Sequence, residues 1–294
     1  MLLKLLKILA YHLPLKETRA FHGLRAFIYQ QGMKRFMQRN YGKIITKEID
    51  GITYELDLSE AIEASLYYSG VYEFETLKCL QQCIRPDMIV FEIGANIGAH
   101  SFEIAKLLHT GAGKVYCFEP TDYAFNKLLH NHSLNNFRNM FFEKIALSDQ
   151  AGSQILTPTG SLDTMAFTAS WDIKNGRSKN ATEQHIFFQT LDGYVQEHKI
   201  TRIDLLKIDV DGYELKIIKG GTQTISRYTP VIIIELSECM LHYIGDTLEE
   251  LLAALQYLGY TFQPVHTRRV LDIPQLIREV RERQSLDCLC RYHS

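Results

Sequence analysis

From Met88 onward, short apolar runs alternate with amphipathic segments of helical period, and that rhythm leaves few folds open. The runs are MIVFEI (88–93), KVYCFE (114–119), MFFEKIAL (140–147), IDLLKID (203–209) and VIIIEL (231–236). Helical patterns lie near 100–109, 122–135, 212–219 and 247–258. Strands separated in this way by helices imply a parallel sheet with crossover connections, an α/β fold. The end of the chain adds YTFQPVH and SLDCLCRYH around the helical PQLIREVRER, consistent with closing strands.

The chain before this region reads differently. Residues 1–43 suit helices broken near Pro14 and Gly32. KIITKEIDGITYELDL alternates apolar and polar residues about Asp50-Gly51, a hairpin signal. A helical stretch follows around Glu60–Cys83. The expected organisation is therefore an N-terminal helical and hairpin extension over 1–83 and an α/β domain over 84–294. Within the latter, residues 153–190 are rich in Ser, Thr, Gly and Asn, contain the only tryptophan, Trp171, and read as an insertion carrying a short hairpin.

Charge is unevenly spread. Residues 1–43 carry nine basic side chains and one acid, a local charge of +8 in a chain of net charge -2, which leaves -10 for the remainder. Nothing global in that balance suggests a nucleic-acid partner. The opening MLLKLLKILAYHL is too interrupted by Lys4 and Lys7 for a signal peptide, and no apolar run approaches the roughly 20 residues of a membrane span. It suits a basic amphipathic helix, for which two readings stay open. One is peripheral contact with an anionic membrane from the cytoplasmic side; the other is packing on the enzyme's own surface or in a homodimer interface. The six cysteines show no paired metal-knuckle spacing and read as reduced packing residues of a cytoplasmic protein.

The first run ends in Val90-Phe-Glu-Ile-Gly-Ala-Asn-Ile-Gly-Ala-His-Ser101. A strand, a glycine turn and a helix commonly hold an adenosine-containing cofactor, because small residues admit the ligand and the helix start supplies amide donors. The spacing here is Gly94-x-Asn96-x-Gly98, with Glu92 ahead of it and Ser101 at the opening of the helix. An acid at Glu92 repels a phosphate but accepts from an ammonium group, which favours S-adenosylmethionine over a nicotinamide dinucleotide. Glu119, ending the second run, is placed to accept both ribose hydroxyls. Asp149, after the third run, is a candidate for the adenine amino group or a simple turn residue.

At this point the chain resembles a known family. EIGANIG, CFEP, the ALSD turn and above all TLDGYVQEHKITRIDLLKIDVDGYELKIIKGG are similar to the FkbM methyltransferases, over about residues 65–240. The resemblance implies a Rossmann-like class I methyltransferase fold with a seven-stranded, mostly parallel sheet. It also implies O-methylation of a sugar, glycan or small natural product with S-adenosyl-L-methionine as donor. The family block commonly has glutamate where this chain has Asp211.

Methyl transfer to a hydroxyl needs alignment and a place for the proton. Lys207 and Asp209 share a strand face at the tip of the fourth run, and Asp209 is the first candidate for the base or a metal ligand, with Lys207 orienting substrate or pairing with an acid. Asp211 followed by Glu214 resembles a capping box. Glu235, ending the fifth run, lies beside Asp209 in a 3-2-1-4-5 sheet, and the two carboxylates offer a site for Mg²⁺, an alternative to metal-free chemistry. His100 and His266 read as structural. Two rival classes remain: an N-methyltransferase, disfavoured because no proline follows Asp or Asn, and a non-catalytic, membrane-recruited cofactor-binding scaffold.

Overall fold

The computed structural model describes residues 32–156, 183–267 and 269–293. They divide into two compact units, one ending at Tyr72 and one beginning at Glu73. In the first unit residues 32–39 are helical from the first described residue onward; the expected break at Pro14, and the chain before Gly32, fall outside the described residues. Strands β1 (Ile44–Ile49) and β2 (Ile52–Asp57) then pair antiparallel. Asp50 and Gly51 join them with φ values of 49° and 78°, the two left-handed positions that an Asp-Gly turn supplies. Helix α1 (Ala61–Ser69) ends on Gly70 at φ 73°, so the expected helical stretch to Cys83 is two helices with a left-handed stop between them.

The second unit opens with α2 (Phe74–Cys83), β3 (Ile89–Ile93), α3 (Ser101–Leu108), β4 (Lys114–Phe118), α4 (Asp122–Ser133) and β5 (Met140–Glu143). Next come β6 (Ala146–Ser148), β7 (Gly152–Leu156), β8 (Gln184–Thr190), α5 (Leu191–Glu197) and β9 (Leu205–Ile208). The chain continues through α6 (Glu214–Gly220), α7 (Thr222–Tyr228), β10 (Val231–Leu236), α8 (Glu238–Tyr243) and α9 (Leu248–Tyr257). It closes with β11 (Tyr260–Pro264), α10 (Ile273–Arg283) and β12 (Leu286–Tyr292).

Seven strands form one sheet in the order β11-β12-β10-β9-β3-β4-β5. The five strands from β10 to β5 are parallel, and β12 runs antiparallel to both its neighbours. The sheet is seven-stranded and mostly parallel, as the resemblance implied, and it contains the expected 3-2-1-4-5 order. The central strands are apolar at nearly every position because helices cover both faces. All four residues of β9 are buried, and Phe91, Leu206, Ile208, Ile232 and Ile234 share one core with Leu248, Leu251 and Leu255 of α9.

One expected run is divided. Residues 140–147 form two strands in different sheets: β5 joins β4, whereas β6 pairs parallel with β8 in a three-stranded sheet ordered β6-β8-β7. The break falls at Lys144 and Ile145, just after the last residue of β5: Glu143 accepts from the Tyr194 hydroxyl at 2.8 Å and Lys144 pairs with Asp122. β7 and β8 are antiparallel, as expected for the insertion; residues 157–182 lie outside the described ones.

The capping box expected at Asp211 is absent. Asp211 and Gly212 turn through φ values of 54° and 107°, and α6 begins only at Glu214. The Glu214 carboxylate folds back to accept from the amides of Val210 at 3.1 Å and Gly212 at 3.3 Å. Burial outweighs those amides and lifts its pKa from 4.5 to about 7. The native chain thus holds this proton more tightly than the unfolded one. Stability from the group is full below pH 4.5 and is lost as pH rises through 7. Glu214→Gln keeps an acceptor for both amides and removes the buried charge. Urea unfolding should find the variant roughly 1–3 kcal/mol more stable than wild type at pH 8, with little difference near pH 4. A less stable variant at pH 8 would mean that the fold needs the carboxylate.

Candidate active site

The glycine turn after β3 is built from alternate left-handed residues: Gly94, Asn96 and Gly98 have φ values of 90°, 50° and 93°. The amides of Gly94 and Ala95 both donate to the Phe118 carbonyl at 2.9 Å, which ties the turn to the end of β4. A Cβ on Gly94 would lie 1.8 Å from the Asp209 carbonyl oxygen, and one on Gly98 would lie 2.5 Å from the Phe102 ring. Only glycine permits these approaches. The turn therefore rests directly on the backbone at the tip of β9.

Glu119, at the end of β4, is 5% exposed. One oxygen accepts from the Asn96 amide at 3.0 Å; the other accepts from the Thr121 amide at 3.0 Å and hydroxyl at 2.6 Å. Burial raises its pKa against these donors. Glu92 is 1% exposed and accepts from the Ser101 hydroxyl. Burial lifts it to about 7, opposed by Lys207 and Ser101.

Glu92 and Lys207 are register partners on β3 and β9. Lys207 is 3% exposed and reaches Asp209 at 3.0 Å. Burial works against its charge, yet Asp209, Glu92, Glu73 and Asp287 more than offset that and push its pKa above the usual lysine range. Asp209, 23% exposed, also belongs to a group with Asp211 and Glu235 whose ligand oxygens lie within 4.8 Å of one another. Burial, then Asp209 and Asp287, hold Glu235 well above the ordinary carboxylate range.

The structure thus brings Glu92, Gly94, Asn96, Gly98, Ser101, Glu119, Lys207, Asp209 and Glu235 to the carboxyl ends of adjoining strands. Asp149 is exposed, follows β6 on the smaller sheet, and lies against Gly220 at the end of α6. His100 is buried, with Nε2 3.9 Å from Glu73, and His266 meets Glu279 at 2.6 Å. All six cysteines are free thiols.

Three further residues join the site. Asp287, opposite Glu235 in the β10–β12 pairing, accepts from the Thr76 hydroxyl and is lifted to about 6, by burial first and by Asp209 second. Glu73 adopts φ 44° and ψ 70°, a sparsely populated conformation outside glycine that clusters at functional sites. The one sequence signal for Asp287 was an acid amid the apolar LDCLC.

Residues 92–262 match the methyltransferase FkbM domain family. The chain is 26% identical over 167 residues to AglP of Haloferax volcanii, a hexuronic acid methyltransferase, covering 55% of this chain and 61% of that protein. It is 26% identical over 167 residues to NoeI of Sinorhizobium fredii, a 2-O-methyltransferase, covering 54% and 67%. The match to AglP thus spans less than two thirds of that protein's length. Among solved structures, methyltransferase FkbM from Methylobacillus flagellatus aligns at TM-score 0.44 and 13% identity over 99% of this chain and 58% of that one. M. jannaschii TYW2 in complex with AdoMet aligns at TM-score 0.41 and 15% identity over 86% and 89%. With more than half of its length matched, from 92 to 262, the chain belongs to the methyltransferase FkbM domain family.

Proposed function

We propose that this chain is an S-adenosylmethionine-dependent O-methyltransferase whose acceptor is a hydroxyl of a sugar, a glycan or a small natural product. The observation that carries the reading is the direct contact of the glycine turn with the backbone of Asp209, which sets cofactor-type and proton-accepting groups side by side. The printed activities of the two relatives, a hexuronic acid methyltransferase and a 2-O-methyltransferase, support a sugar hydroxyl. Bound S-adenosylmethionine supplies an electrophilic methyl group on a sulfonium.

In this reading the chain's residues divide the remaining work. Glu119 keeps acceptor capacity for ribose hydroxyls after its three donors. Glu92, beneath the turn, favours an ammonium and disfavours a phosphate, and Gly94, Asn96, Gly98 and Ser101 shape that wall. Asp209 accepts the proton of the acceptor hydroxyl while Lys207 fixes its orientation. Asp149, which follows β6, meets the adenine amino group in this reading.

Calorimetry on Glu119→Ala should find cofactor affinity reduced by about 1–3 kcal/mol, the worth of a charged hydrogen bond. Unchanged affinity in a folded variant removes Glu119 from the ribose. Asp209→Asn preserves shape and abolishes basicity; methyl transfer to a sugar acceptor should fall roughly 100- to 10,000-fold, with cofactor affinity nearly unchanged. A near-normal rate eliminates Asp209 as the base.

A metal-assisted version is favoured by one observation, the closeness of Asp209, Asp211 and Glu235. Carboxylate oxygens suit Mg²⁺, which would acidify a bound hydroxyl. Loss of activity in EDTA with recovery on Mg²⁺ addition selects this version; full activity in EDTA selects the metal-free base.

The basic residues 1–43 are proposed to dock the protein on the anionic cytoplasmic leaflet, each Lys or Arg near the surface contributing about 1 kcal/mol. No helix among the described residues is long and apolar enough to cross a membrane. The full chain should sediment with anionic vesicles at low salt, and a truncation starting at Tyr41 should not, with its melting temperature nearly unmoved. A truncated protein that aggregates instead assigns the segment to packing or to a dimer interface.

A further inference from the structure

A cavity of about 330 Å³ opens at the amino ends of β4 and β5, the opposite end of these strands from Glu119 and the glycine turn. Its wall includes His109 after α3, the turn 111–113, Lys114 at the start of β4, and Arg138, Asn139 and Phe141 around the start of β5. No acidic side chain lines it. Among the described residues, none of His109, Lys114 and Arg138 is in an ion pair, although residues 44–294 together carry -10. Basic groups often complement a helix C-terminus. That accounts for His109, which ends α3, but not for Lys114 or Arg138, which belong to later elements.

Two other features describe the ligand. Phe141 is 38% exposed and stacks on Tyr116 at 4.9 Å with an interplanar angle of 19°, so one ring face is backed while the residue remains open to solvent. Lys114 Nζ stands 5.4 Å from its centroid. Asn139 donates through Nδ2 to the Ala105 carbonyl at 2.8 Å, which ties this wall to α3. The wall therefore presents cations for an anion and an aromatic platform for a C–H face. The volume lies at the small end of ligand sites, suited to one ring and too small for a dinucleotide.

We propose that this cavity binds an anionic sugar, a pyranose bearing a carboxylate. Arg138 and Lys114 meet the carboxylate, and the C–H face of the ring covers Phe141. The inference is independent of the methyl-transfer reading, because the residues lie at the other end of the strands and methyl transfer does not need them.

Saturation-transfer NMR with the full chain tests it, using glucuronate, methyl glucoside and inorganic phosphate as separate probes. Glucuronate should bind, with affinity falling about tenfold in Lys114→Ala combined with Arg138→Ala, and likewise in Phe141→Ala. Arg138→Gln and Lys114→Gln serve as a milder pair should the alanine variants unfold. Asp209→Asn should retain binding, which separates this cavity from an acceptor site at the carboxyl ends. Glucuronate binding that survives loss of both cations overturns the site. Methyl glucoside binding as tightly overturns the role of the charge, and phosphate binding as tightly overturns the sugar.

Discussion

A lysine buried in the central strand of the sheet is the constraint on which the site depends. Lys207 occupies β9, every residue of which is buried, so its ammonium has no water to turn to. Burying a charge costs several kcal/mol unless partners surround it. The partners come from the whole site: Asp209 on the same strand, Glu92 from β3, Glu73 at the start of α2 and Asp287 from β12. These elements must be in register together for the lysine to be tolerated. The antiparallel closing strand is thereby bound to the chemistry through Asp287, which also takes the Thr76 hydroxyl. A strand that in outline merely completes the sheet supplies part of the negative charge that holds Lys207.

What could be read from the sequence was what depends on local period. The strands at 89–93, 114–118, 205–208 and 231–236 follow from apolar runs between helical segments, and acids at their tips were visible because a strand tip in such a sheet faces the ligand crevice. The division of 140–147 was not visible, since apolar residues flank Glu143 and Lys144 on both sides and the choice of sheet is a tertiary decision. The start of α6 was misread for a related reason. Asp211 looks like an N-cap in sequence, but its left-handed conformation delays the helix to Glu214. Glu73, Thr76 and Asp287 were missed because their partners are far along the chain. An acid within LDCLC has the signature of an ordinary solvent-facing strand position until Glu235 is placed opposite it.

The acids at the strand ends also limit what the site can hold. Two like charges 4.8 Å apart repel by about 3 kcal/mol at an effective dielectric constant of 20, and Asp209, Asp211 and Glu235 make three such pairs within that distance. Lys207 pairs with Asp209. Charge on Glu235, which is buried beside these acids, is met by a proton or by a cation. Burial and its acidic neighbours favour the proton on Glu235 when nothing else is bound. A divalent ion would displace that proton and engage the same oxygens, so the two chemistries proposed for the acceptor hydroxyl are alternative occupants of one negative pocket. In the first, Asp209 is the free base and a protonated Glu235 donates a hydrogen bond. In the second, Asp209 and Glu235 would hold the ion, which would supply acidity to a bound hydroxyl. An acceptor bearing a carboxylate would find either arrangement easier to approach through its neutral hydroxyl edge than through its acid.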